Sequence, residues 1–215
     1  MTRKNDLHDI LRGKWEDGTR PKDLYAQRIA KHPASHVESI VLGLRAGNRR
    51  VENGCAELAS LISAQTPELL YPHLARFVDN LASKEAVLRW EAACTIGNLA
   101  AVDSEGAIPA QIPSLTRFLS DKSIVLQGHS IRALVKIARV NPKRASAILT
   151  AILDAREHFP GNRVGHVIEA MESFAGDSRF ARKVREAVAP HVESEIKSVA
   201  AKARKVVKKL AAKPT

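Results

Sequence analysis

The sequence predicts an all-α protein, a stack of about five helix pairs with capping helices at its N-terminal end. The first observation is composition. Across 215 residues only 4% are aromatic and Ala is abundant, which suits close helix packing better than strands. The second is the stretch from Val87 to Ala101. Wound at about 3.6 residues per turn, it brings Leu88, Ala92, Ile96 and Leu99 into one apolar seam, with Ala93 and Ala100 beside it. Trp90, Gly97 and Ala101 fall on the far side, and only Glu91, Thr95 and Asn98 form a narrow polar strip. A helix apolar around most of its circumference sits between neighbours.

The third observation is that this stretch repeats. A shift of 38 carries Ile96 to Leu134, Leu99 to Ile137 and Leu88 to Leu126; the reverse shift carries Ile96 to Leu58, Ala93 to Cys55 and Leu99 to Leu61. A further shift of 37 carries Leu134 to Met171, Ile131 to Ile168 and Ile137 to Phe174, and lays Gly128-His129 on Gly165-His166. A helical block recurring at this interval marks a stacked α-solenoid, in which each repeat packs on its neighbours.

Residues 1–18 read as a short helix (Leu7, Ile10, Leu11) running into a loop, with Trp15 as an apolar plug over the end of the stack. Pro21 stands where a helix begins, and Leu24, Tyr25, Arg28 and Ile29 continue it. The first pair spans about 34–65: Val37, Ile40, Val41 and Leu44, a break at Gly47-Asn48, then Val51, Cys55, Leu58, Leu61 and Ile62. Thr66-Pro67-Glu68 is expected to open the next helix, with Leu69, Leu70, Leu74, Phe77, Val78 and Leu81 facing inward, and Ser83-Lys84 turns into 87–101. Asp103-Ser104-Glu105-Gly106-Ala107 is the longest polar break. The third pair starts near Pro109 or Pro113 and its second helix covers about 123–140. In the fourth pair the first helix lies around 143–158, Pro160-Gly161-Asn162 turns the chain, and Val164, Val167, Ile168, Met171 and Phe174 mark the second. The last pair is Phe180, Val184 and Val188, then about 194–212, where Ile196, Val199, Ala203, Val206 and Leu210 make one docking stripe. The organisation expected is an N-terminal capping segment (1–33), a repeat body (34–193) and a basic C-terminal helix and tail (194–215).

The helix pairs, their spacing, and Val87-Leu88-Arg89 followed by Ala92-Ala93, Ile96-Gly97 and Leu99 resemble a HEAT repeat of the armadillo-like superfamily. The resemblance covers roughly residues 34–212 and implies a right-handed α–α superhelix. That family often pairs an Asp in the turn with an Arg six residues on. Here Asp121 meets Gln127, and Arg89 meets Ser83, so stacking is expected to rest mainly on apolar contact.

Net charge is +11, and it is unevenly placed. Residues 1–50 carry +5, residues 51–195 carry −1, and residues 196–215 carry +7 with no acidic residue. A duplex-binding groove would carry its positive charge along the body. No stretch approaches the roughly 20 apolar residues of a membrane span, and the start lacks the apolar core of a signal peptide. Cys55 and Cys94 lack metal spacing and read as small buried thiols of a cytoplasmic protein.

In such a stack the second helices line the concave side. Their aligned wheels place Asn53 and Ser60, Glu91 and Asn98, His129 and Lys136, and His166 and Ser173 in the polar strip, flanked by Arg132 and Glu169. The same strip is also what any stack must show to water. Lys197, Lys202, Arg204, Lys205, Lys208 and Lys209 of the last helix form a second candidate, a basic patch spread over its outer face.

Enzymatic alternatives find little in the residues. His32 and His36 are four apart, but Pro33 lies between them and no His-Glu-x-x-His occurs. HEAT-fold deoxyhypusine hydroxylases hold iron through His-Glu dipeptides; here the pairs are His129-Ser130 and His166-Val167. A HEAT-like DNA glycosylase would resemble an aromatic cleft with a buried acid, and two Trp and two Tyr do not supply one. No nucleophile elbow, P-loop or dinucleotide fingerprint is present. The expectation is a non-enzymatic, cofactor-free and metal-free scaffold or adaptor that binds a protein or peptide on its concave face. The alternative is a module that docks weakly and non-specifically on nucleic acid through the C-terminal helix.

Overall fold

Every regular element among residues 6–212, which the computed structural model describes, is helical, and no strand occurs among them. The chain divides into two units, one ending at Gln111 and the other beginning at Ile112.

In the first unit, Asp6–Arg12 (α1) leads through a loop to Pro21–Leu24 (α2), which continues as a π-helical stretch, Tyr25–Ile29. Leu11 is fully buried, and Trp15 donates its indole N–H to the Leu11 carbonyl at 3.0 Å. Both side chains lie on Gly54, where a Cβ would stand 2.6 Å from Leu11 Cδ2 and 3.2 Å from Trp15 Cζ2. Gly54 leaves the seat into which Leu11 and Trp15 fit.

Val37–Gly43 (α3) and Arg49–Gln65 (α4) form the first pair. Gly47 turns the chain with φ +66°, and the Asn48 side chain caps α4 by accepting from the Arg50 and Val51 N–H groups. The next pair is Leu74–Asn80 (α5) and Ala86–Leu99 (α6). Pro67 does not open α5, as the sequence suggested. Two 3-10 turns, Pro67–Leu69 and Tyr71–His73, come first, because Pro72 lacks the N–H an α-helix would need there. Asp103 then closes the polar break on itself: its carboxylate accepts from Tyr71 Oη (2.7 Å), Ala107 N (2.9 Å) and Ile108 N (3.0 Å).

The second unit holds three pairs. They are Ile112–Arg117 (α7) with Ile124–Val140 (α8), Pro142–Asp154 (α9) with Val164–Phe174 (α10), and Ala181–Val188 (α11) with Lys197–Ala211 (α12). Ser123 caps α8 through Leu126 N, Pro142 occupies the first turn of α9, and Gly161 reverses the chain before α10 with φ +62°.

The repeat register holds at its centre. Leu58, Ile96, Leu134 and Met171 are all fully buried. Two stripe residues depart from it. Leu61 is only partly covered. Ile196 precedes α12, in extended backbone, and stays 38% exposed, so the docking stripe is Val199, Ala203 and Val206 with Leu210 at its rim. The missing Asp–Arg pairs are replaced by closures onto backbone: Asp121 accepts from Ser123 N, Gln127 Nε2 donates to Leu119 O, and Arg89 Nη1 reaches Ser83 O. The exposed pair Arg45–Asp79 and the partly covered pair Arg49–Glu85 tie the first pair of helices to the second.

Candidate functional site

The second helices α8, α10 and α12 pack side by side in the second unit, and a cleft of about 250 Å³ opens across them. Its walls are polar: Arg132, Lys136 and Arg139 from α8, His166, Glu169, Glu172 and Ser173 from α10, and Lys209 from α12. Ile131, Val135 and Ala170 supply the apolar floor. Five of the six strip residues predicted in this unit, Arg132, Lys136, His166, Glu169 and Ser173, therefore converge on one cavity. His129 lies half-buried outside the lining.

The three α8 cations are set four and three residues apart, which puts them on one face of the helix. Arg139 Nη2 donates to Ser173 Oγ at 2.9 Å. The Arg132 guanidinium lies over Gly128, where a Cβ would stand 3.7 Å from Nη1 and 3.8 Å from His166 Cε1. The acids of α10 are engaged on their other side, by α12. Lys202 Nζ meets Glu169 Oε2 at 2.7 Å, Lys205 Nζ meets Glu172 Oε2 at 2.9 Å, and Lys209 Nζ donates to the Glu172 carbonyl at 2.9 Å.

Burial, with these cations helping, favours the neutral form of both histidines. Burial pushes His129 down to about 4, and Arg132 and Lys136 push the same way; its buried Nδ1 has no hydrogen-bond partner. Burial likewise lowers His166, helped by Lys202 and Arg132 and opposed by Glu169. Lys202 lowers Glu169 mainly through its hydrogen bond.

In the first unit the same register behaves differently. Asn98 and Ser60 are buried, and Asn98 Nδ2 donates to Ser63 Oγ at 2.8 Å and to the Ser60 carbonyl at 3.3 Å. Their reading as surface residues is corrected: a short amide at this position locks α6 to α4. Glu91 is half-buried and accepts from Trp90 Nε1 at 3.2 Å. Burial raises its carboxyl, and so does Glu57, a neighbour the sequence did not single out. Glu57 is itself raised by burial. Asn53 is half-buried on α4.

The basic patch also needs correction. Lys202, Lys205 and Lys209 turn toward α10 rather than outward, and Arg204 pairs with Glu193 at 3.1 Å. Lys197 and Lys208 are exposed. The patch is thus partly neutralised by acids contributed from the preceding pair, which a count along the last helix alone does not show. The sequence missed Arg139 and Glu172 as cleft residues. For Arg139 the signal was available, since it stands seven residues after Arg132.

His36 is lowered by burial and by His32. Among the described residues, no group of three or more His, Cys, Asp or Glu side chains is placed to hold a metal ion, and no helix is long and apolar enough to cross a membrane.

No family model matches the chain, and no curated protein matches it. Solved structures do. An engineered protein is similar over 97% of this chain and 100% of its own, with a TM-score of 0.65 at 18% identity. A designed armadillo repeat protein in complex with the peptide (KR)4 is similar over 95% and 99%, with a TM-score of 0.66 at 15% identity. A computationally designed armadillo repeat protein for modular peptide recognition is similar over 95% and 90%, with a TM-score of 0.64 at 15% identity. At such identities the likeness defines the fold, an all-α, armadillo-like solenoid.

Proposed function

We propose that this protein is a non-enzymatic scaffold that takes an extended segment of another protein in the cleft across α8, α10 and α12. The observation that carries this reading is the cleft itself, where second helices of three successive pairs bring predicted strip residues together over an apolar floor. Clefts between packed helices are a common place for a binding site, and the many polar groups of this one suit a polar segment. The fold adds support, because two of the similar proteins are described as peptide-bound or built for peptide recognition. The chemistry of the walls favours binding over catalysis: Ser173 Oγ is held by Arg139 and not by a histidine that could draw off its proton. The basic C-terminal helix favours the nucleic-acid alternative less than its composition did, since Lys202, Lys205 and Lys209 already serve α10.

The test is occlusion. Peptides selected from a random library on the full chain should lose about tenfold or more in affinity when Ser173→Trp fills the cleft, a loss of roughly 1.4 kcal/mol. A circular dichroism spectrum unchanged by the substitution keeps the result interpretable. Selected peptides that bind the Ser173→Trp protein as well as the parent would place the binding face elsewhere.

A further inference from the structure

Resting on the cleft reading above, we infer that the segment it takes is acidic, with Arg132 and Arg139 of α8 as its principal anion contacts. The inference follows from which charges of the site are already matched. On α10, Glu169 and Glu172 are the cleft's two acids, and both are held by lysines of α12. On α8, Arg139 bonds a neutral hydroxyl, which satisfies geometry but leaves its charge in place. Arg132 lies over Gly128, within electrostatic reach of His166 and of Glu169, whose hydrogen-bonded partner is Lys202. The wall formed by α8 is therefore positive, and its cations stand at a spacing where like charges repel across the helix surface.

The reach of that charge is seen at the neighbouring histidines. His129 and His166 sit on different helices, and each is driven toward its neutral form partly by Arg132. Positive potential thus reaches across the α8–α10 space and is not confined to the arginine tips. A carboxylate entering there would complement it and would meet at least two guanidinium groups able to bind it in bidentate fashion. Register explains why cationic side chains can lie against these helices. Trp90 of α6 corresponds to Gly128 of α8 and to Gly165 of α10 in the 37- and 38-residue alignment. Where the first unit carries an indole, the second carries no side chain, and cationic groups of Arg132 and Lys202 lie over the two glycines. A peptide such as (KR)4, which one similar protein binds, has the wrong sign for this wall.

The test uses labelled peptides of alternating Glu and Ser, Gln and Ser, or Lys and Ser, together with oligothymidylate, titrated into the full chain and followed by fluorescence anisotropy. The expected result is binding of the Glu/Ser peptide above the other three. R132Q with R139Q should weaken it about tenfold, the sum of two exposed charge contacts, and K197Q with K208Q should leave it unchanged. Both arginines are exposed, so the double variant should keep its helical spectrum. Preference for the Lys/Ser peptide, blocked by Ser173→Trp, would overturn the acidic inference and leave the cleft reading standing. Preference for oligothymidylate, lost in R132Q with R139Q, would overturn it in favour of a nucleic-acid site. Absence of binding by every probe, or Glu/Ser binding indifferent to R132Q with R139Q, would overturn it outright; the fate of the cleft reading would still be decided by the selected peptides and Ser173→Trp.

Discussion

Position 98 in the first unit and position 136 in the second occupy the same place in the repeat, yet they build opposite surfaces. Asn98 is short enough to be buried and bonds across to α4 through Ser60 and Ser63. Lys136 is too long for that and lines an open cleft beside Arg132 and Arg139. The neighbouring position repeats the contrast: Glu91 sits beside a second raised carboxyl, Glu57, whereas His129 sits under two cations. One repeat frame thus yields a closed, acidic face or an open, basic one. The length and charge of two side chains per second helix decide which.

The hardest way to break this comparison is through the shared core. Ile96 and Leu134 are counterparts and both fully buried. Truncating either to Ala should cost about 2–5 kcal/mol in chemical denaturation. A change within about 0.5 kcal/mol at either site would mean that the two units do not share a register, and the comparison would lose its basis.

A smaller effect separates the faces themselves. Asn98→Ala removes the buried hydrogen bonds to the Ser63 hydroxyl and the Ser60 carbonyl; the carbonyl keeps the Ser63 hydroxyl as a donor, but the Ser63 oxygen loses its own, which should cost about 1–3 kcal/mol. Lys136→Ala should stay within about 0.5 kcal/mol, the range of surface substitutions. Equal costs would show that position 136 carries structure as position 98 does.

The subtlest expectation is that acid pulls the two faces in opposite directions. Glu57 and Glu91 lie above the ordinary carboxylate value, so the fold binds their protons more tightly than the unfolded chain does. Their stabilising contribution is full below the unfolded value of 4.5 and is lost as pH rises through the raised values. His129 and His166 lie below the unfolded value of 6.5, with His129 at about 4. There the unfolded chain binds more protons, and stability present above 6.5 is lost as pH falls toward 4. Glu91→Gln keeps an acceptor for Trp90 and should raise the thermal midpoint near neutral pH, with the gain shrinking in acid. His129→Gln should do the reverse, neutral at about pH 7.5 and stabilising near about pH 5. Thermal melts across that range check both, and parallel pH profiles would erase the electrostatic half of the comparison.

These differences also mark what the sequence disclosed. Pair boundaries and the buried column Leu58, Ile96, Leu134 and Met171 follow from hydrophobic periodicity, which is a property of one helix at a time. The wheel likewise grouped Arg132, Lys136, His166, Glu169 and Ser173, which line one cleft. What it left open was depth. Asn98 and Lys136 are both polar, and a wheel, which carries no side-chain length, does not separate the one that is buried from the one that lines a cleft. Partners across helices were equally out of reach. Lys202, Lys205 and Lys209 look like an exposed basic run until Glu169 and Glu172 are placed beside them. The 3-10 entry to α5 was the exception, because Pro72 was in plain view.

The close approach of α3 to α4 gives the first unit an internal reporter. Gly43 faces Cys55 with no room for a side chain between them, and the Cys55 thiol is fully buried and pushed up to about 12 by burial and by Glu52. A thiol in that state neither ionises at neutral pH nor meets reagent while the pair is closed. The rate at which an alkylating reagent modifies Cys55 therefore counts openings of the first helix pair, one molecule at a time, against a background from the partly exposed Cys94. No cysteine lies in the second unit, so alkylation records the breathing of one half of the chain only.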